Sequence, residues 1–323
     1  GILHINTYAF NREYPDLEQI EVLKGPQGAL YGRSAAAGAI IMSTRRPSQV
    51  AEGDIRVSMA EDSTYTALAT VAGPLGEKVA GRLTADYRSS DGFYSNSFLN
   101  DKVVDDAENY SITGRLVFDP TDTLSIDTKL RVGRAESAAI SFNAGFALPS
   151  FVPFGTPGSE SFYQDVNEHD FIFSNNVRPV NEQDVLEFSI KADWELDGAT
   201  LSAWAFYSDS EDTFIADGTS GAFGFYGGTE SCINTLDALT PSYTPKVPGG
   251  VTALPAPTFI FGSAPGAQVL PPYSPTTCDG YQYQERFQED ISFQVQLTSD
   301  SDQRLRWQAG LYFLDIERYQ AVS

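Results

Sequence analysis

From Asp54 onward, apolar and polar side chains alternate at every second position in one segment after another. In one such segment Leu83, Ala85 and Tyr87 are separated by Thr84 and Asp86. A period of two is typical of a β-strand, whose successive side chains point to opposite faces. The pattern predicts about nine strands, at 55–59, 65–71, 79–88, 110–118, 124–132, 186–194, 201–207, 291–297 and 305–313.

The connections between these strands are alternately short and long. The short ones lie at 73–77, 119–122, 195–198 and 299–303, and the long ones at about 89–108, 135–184 and 211–289; only the connection at 61–63 breaks the rule. In an up-and-down antiparallel sheet, alternate connections share one end, so we expect turns at one end and loops at the other. Outer-membrane β-barrels are built in this way. A soluble two-sheet sandwich shares the alternation, but loops of about fifty and seventy-five residues are rare in a compact domain.

Composition narrows the possible functions. The chain has 21 basic and 43 acidic residues and a formal net charge of −22 without a basic stripe, which argues against nucleic acid as a partner. No apolar run reaches the length of a membrane helix, and no signal peptide is visible at Gly1.

His4 and His169 are far apart, and the acidic group around Glu168 lacks calcium-loop spacing, so we predict no metal site and no cofactor. No catalytic set is visible either, so we do not expect an enzyme.

The two cysteines, Cys232 and Cys278, lie in one stretch rich in glycine and proline. This arrangement fits a disulfide formed in an oxidising compartment, and two free loop thiols are the alternative.

A different kind of sequence precedes the alternating segments. Around Ile20–Leu23 and Ala39–Thr44 it predicts two short strands, joined through a turn at Gly25–Gly28. The glycines serve backbone geometry in this interpretation, because no Lys-Ser/Thr pair follows as a phosphate-binding loop requires. The residues that carry the motif are Ile20, Glu21, Val22, Leu23, Lys24, Gly25, Pro26, Gln27, Gly28, Leu30, Tyr31, Gly32, Arg33 and Gly38.

This stretch closely resembles the C-terminal plug motif of TonB-dependent outer-membrane receptors. The resemblance implies a mainly β fold: the end of a small α+β plug domain at 1–50, followed at 51–323 by the first part of an antiparallel transmembrane barrel of the 22-stranded class. About nine strands do not close such a barrel, so we expect a fragment. The early plug, the TonB-contacting segment and the later strands are expected outside these residues.

By the same resemblance, the function is active import of a scarce nutrient across the outer membrane. The favoured substrate is a ferric siderophore, and the implied partners are TonB and outer-membrane lipid. Uptake of an oligosaccharide or cobalamin is the alternative within the family. A passive porin- or adhesin-like barrel, and a soluble carbohydrate-binding sandwich, are the alternatives outside it; the motif argues against both.

Two sets of charged side chains are candidates for ionic contacts. Lys24, Arg33, Arg45 and Arg46 are candidates for ionic contacts with carboxylates on the barrel wall, because buried charges need partners. Along the strands, basic and acidic side chains share one face, where mutual pairing is favoured over attraction of an anionic ligand. These wall residues are Arg82, Asp86, Arg88, Arg115, Asp127, Lys129, Arg131, Glu187, Lys191 and Asp193. No substrate-binding residue is assigned.

Overall fold

The computed structural model describes residues 13–28, 37–96, 99–139, 141, 173, 177–217 and 281–322. No helix in this part of the chain is long and apolar enough to cross a membrane. The described strands are β1 (Leu17–Lys24), β2 (Gly38–Thr44), β3 (Glu52–Ala60), β4 (Thr64–Gly76), β5 (Val79–Ser90), β6 (Ala107–Thr121), β7 (Leu124–Ser137), β8 (Val180–Leu196), β9 (Ala199–Asp217), β10 (Tyr281–Ser299) and β11 (Gln308–Val322).

These strands form two sheets. Strands β1 and β2 pair as an antiparallel hairpin, with Val22 opposite Ile40. Strands β3 to β11 form one nine-stranded sheet in which each strand pairs with its neighbours in sequence, all antiparallel where the pairing is described. The structure therefore confirms the nine alternating segments as strands of one up-and-down sheet.

The large sheet has two chemically different faces. We call the face towards the hairpin the inner face and the opposite one the outer face. Cross-strand partners share a face, so the row Arg131, Glu187, Ser208 and Asp290 belongs to the inner face throughout. The outer face carries exposed apolar side chains, among them Leu83, Ile112, Leu116, Leu130, Val132, Phe188, Ile190, Phe293, Val295, Leu311 and Phe313.

Several strands are longer than the alternation predicts. Strands β9 and β10 each have 19 residues and extend into the segments predicted as loops. The parts of these strands next to the long connection at 218–280 carry polar side chains on both faces, such as Asp209 and Asp212. No hydrophobic alternation therefore marks these parts. The three long connections between strands are consequently 91–106, 138–179 and 218–280.

The start of the last strand corrects the prediction of a strand at 305–313. Strand β11 begins at Gln308, and Leu305 lies in the preceding connection with 74% of its surface exposed. The amide of Ser299 donates to the carbonyl of Trp307 at 2.9 Å, and the amide of Trp307 donates to Ser299 Oγ at 2.9 Å. These two bonds close the turn before β11. Leu305 and Trp307 therefore follow the same every-second-residue pattern as the strand, although neither residue belongs to its ladder.

Candidate functional site

The hairpin β1–β2 depends on two glycines at its turn end. Gly25 has a φ of 84°, and its amide donates to the Ala37 carbonyl at 3.1 Å. Gly38 has a φ of 152°, and a β-carbon there would collide with the backbone oxygen of Leu23. Backbone conformation and close approach thus require glycine at both positions. Of the motif, Leu30, Tyr31, Gly32 and Arg33 lie outside the described residues.

The open end of the hairpin is held against the inner face by a buried ion pair. The Arg45 amide donates to the Asp16 carbonyl at 2.9 Å, which joins the two ends of the hairpin. Arg82 of β5 donates through Nε to Asp16 Oδ1 at 2.8 Å and through Nη1 to Glu52 Oε1 at 3.2 Å. The side chains of Arg82 and Asp16 are only 7% and 10% exposed. Their attraction is therefore weakly screened by solvent.

A second arginine holds the end of β2. Arg115 of β6 donates to both carboxylate oxygens of Asp127, from Nε at 2.9 Å and from Nη2 at 2.7 Å. Its remaining nitrogen, Nη1, donates to the carbonyl oxygens of Thr44 at 2.8 Å and Arg45 at 2.9 Å. The planar guanidinium suits this arrangement because one edge grips the carboxylate while the other reaches the hairpin backbone.

The residues before β1 meet a third part of the wall. Arg131 of β7 donates to the Glu13 carbonyl at 2.8 Å and lies 4.9 Å from the centre of the Tyr14 ring. Arg88 of β5 forms an ion pair with the Glu13 carboxylate at 3.1 Å. A cavity opens beside these contacts, lined by residues that include Glu13, Asp86, Ser111, Arg131 and Gln183.

The structure places the four predicted hairpin cations as follows. Arg46 Nε lies 3.9 Å from Asp127 Oδ2, with 58% of the Arg46 side chain exposed. Lys24 and Arg45 are exposed, and neither side chain forms an ion pair with a described residue. Arg33 and both cysteines, Cys232 and Cys278, lie outside the described residues.

The sequence analysis placed the cations on the hairpin and the carboxylates on the wall, and therefore missed the main contact, in which these charges are exchanged. The buried carboxylate, Asp16, comes from the hairpin side, and the arginines come from the wall. Asp16 directly precedes β1, which is a weak signal, but nothing in the sequence indicates which wall arginine it meets. Mutual pairing along the wall does occur: Arg115 with Asp127 at 2.7 Å and Lys191 with Asp193 at 2.7 Å.

At the loop end of the sheet, the connection between β5 and β6 is tied to the β3–β4 turn. Lys102 Nζ lies 2.9 Å from Asp62 Oδ1, and this hydrogen bond is the main cause of the raised pKa of Lys102. The Asp105 carboxylate accepts the amides of Phe93 at 2.9 Å and Tyr94 at 3.0 Å. The two amide bonds close the loop on itself, and the bond between Lys102 and Asp62 ties it to the β3–β4 turn.

The same loop meets the connection between β7 and β8. Asn96, only 1% exposed, forms a β-bridge with Phe173, whose ring lies 5.2 Å from that of Tyr94. Arg178 Nη2 lies 3.4 Å from Asp106 Oδ2. Among the described residues, no three His, Cys, Asp or Glu side chains group as a metal site.

Sequence comparison identifies the segment that contains β1 and the start of β2. The family profile of the TonB-dependent Receptor Plug Domain matches residues 4–39. The ferrioxamine receptor of Yersinia enterocolitica is 33% identical over 110 residues, which are 34% of this chain and 14% of the relative. The pesticin receptor of Yersinia pestis is 35% identical over 60 residues, 19% of this chain and 9% of the relative. Both relatives are named as receptors.

Solved structures share the fold. The ferric yersiniabactin uptake receptor FyuA from Yersinia pestis matches with a TM-score of 0.63 at 13% identity, over 95% of this chain and 37% of that one. The open form of the ferric-catecholate import receptor Fiu from E. coli K12 matches with a TM-score of 0.61 at 15% identity, over 94% of this chain and 40% of that one. The chain thus spans well under half of the length of these proteins. Taken together, the plug profile, the related receptors and the shared fold make this chain similar to one part of the TonB-dependent receptors.

Proposed function

We propose that the full-length protein imports a ferric siderophore across the outer membrane in a TonB-dependent manner. The observation that carries this proposal is the plug-type hairpin bound to the inner face of a sheet whose outer face is apolar. The relatives are named for ferrioxamine and pesticin, and the structural neighbours include receptors for iron chelates. Import requires no bond in the substrate to be broken, so we propose a transporter without enzymatic activity.

The division of the chain follows from this proposal. Residues 1–50 form the end of the plug, and 51–323 form part of the barrel wall with its extracellular loops. The outer face then contacts lipid, which explains why large apolar side chains such as Ile112 and Leu311 are 56% and 82% exposed. A continuous apolar face of this kind is a membrane or protein contact surface, because soluble monomers rarely expose one.

The contacts between the hairpin and the wall suit a plug that both seals and moves. Charge-assisted hydrogen bonds from Arg82 and Arg115 are strong while they are dry, and water that enters during opening weakens them. TonB, acting through a segment outside the described residues, supplies the force in this proposal. Movement of the plug against the wall then converts that force into an open path.

Uptake of radiolabelled iron tests the proposal. The full-length gene is expressed in a strain that lacks its own siderophore receptors, and iron bound to ferrioxamine is offered with and without a protonophore. We expect uptake that is saturable, that requires TonB and that stops when the proton gradient collapses. A matched control expresses the same protein with the plug deleted, which is expected to give slow, unsaturable and energy-independent entry.

The same strains separate the alternatives. Energy-dependent uptake of cobalamin or of an oligosaccharide, without uptake of iron chelates, overturns the siderophore assignment and keeps the transport class. Uptake that proceeds at the same rate with and without TonB overturns the transport mechanism and supports a passive channel. A full-length protein that stays soluble and monomeric without detergent overturns the membrane assignment altogether.

A further inference from the structure

On the outer face, the apolar side chains end at a border near the long connections. The run of mainly apolar outer residues ends at Tyr110 on β6, Val132 on β7, Leu186 on β8, Tyr207 on β9, Ile291 on β10 and Phe313 on β11. The next outer position of each strand carries a charged side chain, in the same order Glu108, Arg134, Asp184, Asp209, Glu289 and Asp315.

This border is level when the strands are tilted as in a barrel. The register leads from Tyr110 on β6 across to Tyr319 on β11, which lies six residues beyond Phe313. Six residues of strand extend over about 20 Å and five strand spacings over about 24 Å, so a tilt of about 40° brings both ends of the border to one height. Barrel strands are tilted by roughly 35–45°. The border therefore has the geometry of the edge of a hydrocarbon layer.

Beyond the border, β9–β11 combine a row of carboxylates with an aromatic pair. Asp209, Glu289 and Glu317 are exposed and lie directly opposite one another on neighbouring strands. Like charges in this arrangement repel each other, so the row is stabilised by a nearby cation. One cross-strand row further out, the rings of Phe287 and Tyr319 are 6.0 Å apart, with 38% and 60% of the two residues exposed.

On β7 and β8 the border already has its cation. Arg134 Nη2 lies 2.9 Å from Glu182 Oε2, and Arg134 Nη1 lies 3.2 Å from Asp184 Oδ2. In the described strands β9, β10 and β11, no outer position holds lysine or arginine, because Arg286 and Arg318 occupy inner positions. The sheet itself therefore supplies no cation to this part of its outer face.

We propose that the outer face of β9–β11 binds the protonated amine of lipid headgroups, just beyond the hydrocarbon layer. This inference rests on the membrane assignment within the proposed function. An ammonium group neutralises the row of carboxylates, and the face of an aromatic ring attracts a cation within about 6 Å. A headgroup whose only charge is a phosphate is repelled instead.

The height of the carboxylate row agrees with this occupant. Glu289 lies two residues beyond Ile291, which is about 5 Å along the membrane normal at the tilt given above. The headgroup layer extends roughly 5 to 8 Å beyond the hydrocarbon on each side of a bilayer. A metal ion suits the row less well, because no three Asp, Glu, His or Cys side chains among the described residues group closely enough to hold one.

Native mass spectrometry of the detergent-solubilised full-length protein tests the preference. The protein is titrated with phosphatidylethanolamine, whose headgroup carries an ammonium, and with phosphatidylglycerol of the same acyl chains, whose headgroup carries only a negative charge. We expect the first-bound phosphatidylethanolamine to bind about fivefold more tightly than phosphatidylglycerol at low ionic strength, as one favourable charge at a membrane surface produces. The preference is expected to shrink as the salt concentration rises.

Two double variants locate the effect. Glu289→Gln combined with Glu317→Gln removes two carboxylates from the outer face of β10 and β11, and is expected to remove the preference. The matched control combines Glu182→Gln with Asp184→Asn on the same face. Arg134 already neutralises those two carboxylates, so the control is expected to leave the binding of phosphatidylethanolamine unchanged.

Three results would overturn the headgroup contact. They are equal binding of the two lipids by the unmodified protein, a preference that survives Glu289→Gln with Glu317→Gln, and tighter binding of phosphatidylglycerol when Mg²⁺ is added. The last result would indicate carboxylates bridged to phosphate by metal ions. The expected lipid preference without any uptake of iron overturns the import function and keeps the headgroup contact. A full-length protein that stays soluble without detergent overturns both the membrane assignment and the headgroup contact.

Discussion

Strands β5–β7 and strands β8–β10 form adjoining parts of the inner face, and they differ in what they hold. The inner side of β5–β7, which we call the charged wall, binds the start and the end of the hairpin, through Arg82 at Asp16 and through Arg115 at the backbone of Thr44 and Arg45. On the inner side of β8–β10, which we call the mixed wall, glutamine and threonine side chains of β10 bond within their own strand, and charged residues such as Glu187 and Asp290 share the face. Both walls have the same alternation and the same apolar outer face.

The difference shows that strand periodicity and wall function are separate properties. Alternation requires only that inner positions be polar, so arginine and serine serve it equally well. At Arg82 and Arg115, the charged choice lets the wall bond to the hairpin.

The largest effect is expected from Arg82→Met. The substitution leaves the carboxylate of Asp16 buried without its partner, which costs about 3 to 5 kcal/mol in comparable buried pairs. We expect the amides of β1 and β2 in the detergent-solubilised full-length protein to lose hydrogen-exchange protection. Arg56→Met is the matched control, because Arg56 pairs with Asp54 on the surface with 66% of its side chain exposed. Equal loss of protection in both variants would contradict the role given to Arg82.

Asp16→Asn combined with Arg82→Met sharpens this result. The amide removes the buried charge that Arg82→Met leaves uncompensated, so the double variant is expected to recover part of the lost protection. Additive losses would show that Arg82 stabilises the hairpin by packing and not through the carboxylate.

Gly38→Ala is expected to cost about 2 to 3 kcal/mol of hairpin stability, since the added methyl meets the Leu23 oxygen in a conformation that disfavours alanine. Hydrogen exchange of β1–β2 measures the loss. Gly28→Ala is the control, because nothing lies within 4 Å of the added carbon. The charged wall should be unaffected in both variants. A loss in Gly28→Ala as large as in Gly38→Ala would refute the steric explanation.

Arg115→Lys is expected to cost about 1 to 2 kcal/mol, because a lysine ammonium keeps one charge-assisted bond but does not span a carboxylate and two carbonyls at once. The end of β2 should exchange faster while the start of β1, held by Arg82, stays protected. Arg134→Lys provides a control with an equally forked arginine, which bonds Glu182 and Asp184 on the outer face. Unchanged exchange of β2 in Arg115→Lys would argue against a backbone anchor.

The sequence predicts the sheet well and the site only partly, for physical reasons. Hydrophobic alternation reports which side chains share a face, so it finds the nine strands. It does not find the polar ends of β9, or the start of β11 at Gln308, which follows a hydrogen-bonded turn. The hairpin motif is local and is readable from its glycines. The pair formed by Asp16 and Arg82 joins residues 66 positions apart, and no local pattern encodes which partner a buried charge finds.

The smallest effect concerns the rim, where loops from the two walls meet. Asp106 precedes β6, Arg178 precedes β8, and their side chains lie 3.4 Å apart. Burial raises the pKa of Asp106, and the charge of Arg178 opposes the increase. The folded rim therefore binds the Asp106 proton more tightly than the unfolded chain does, so the contribution of Asp106 to rim stability grows as the pH falls through its raised pKa and is lost as the pH rises.

Comparison of the unmodified protein with Asp106→Asn isolates this contribution, because every other side chain of the rim is the same in both proteins. Amide protection of residues 101–108, corrected for the intrinsic exchange rate, is measured at a series of pH values from neutral to mildly acidic. We expect the difference in protection between the two proteins to shift in favour of the unmodified protein as the pH falls, by less than about 1 kcal/mol because the site is partly solvated. A shift in the opposite direction would mean that the ion pair with Arg178 outweighs burial, and that the charged form of Asp106 joins the two walls at the rim.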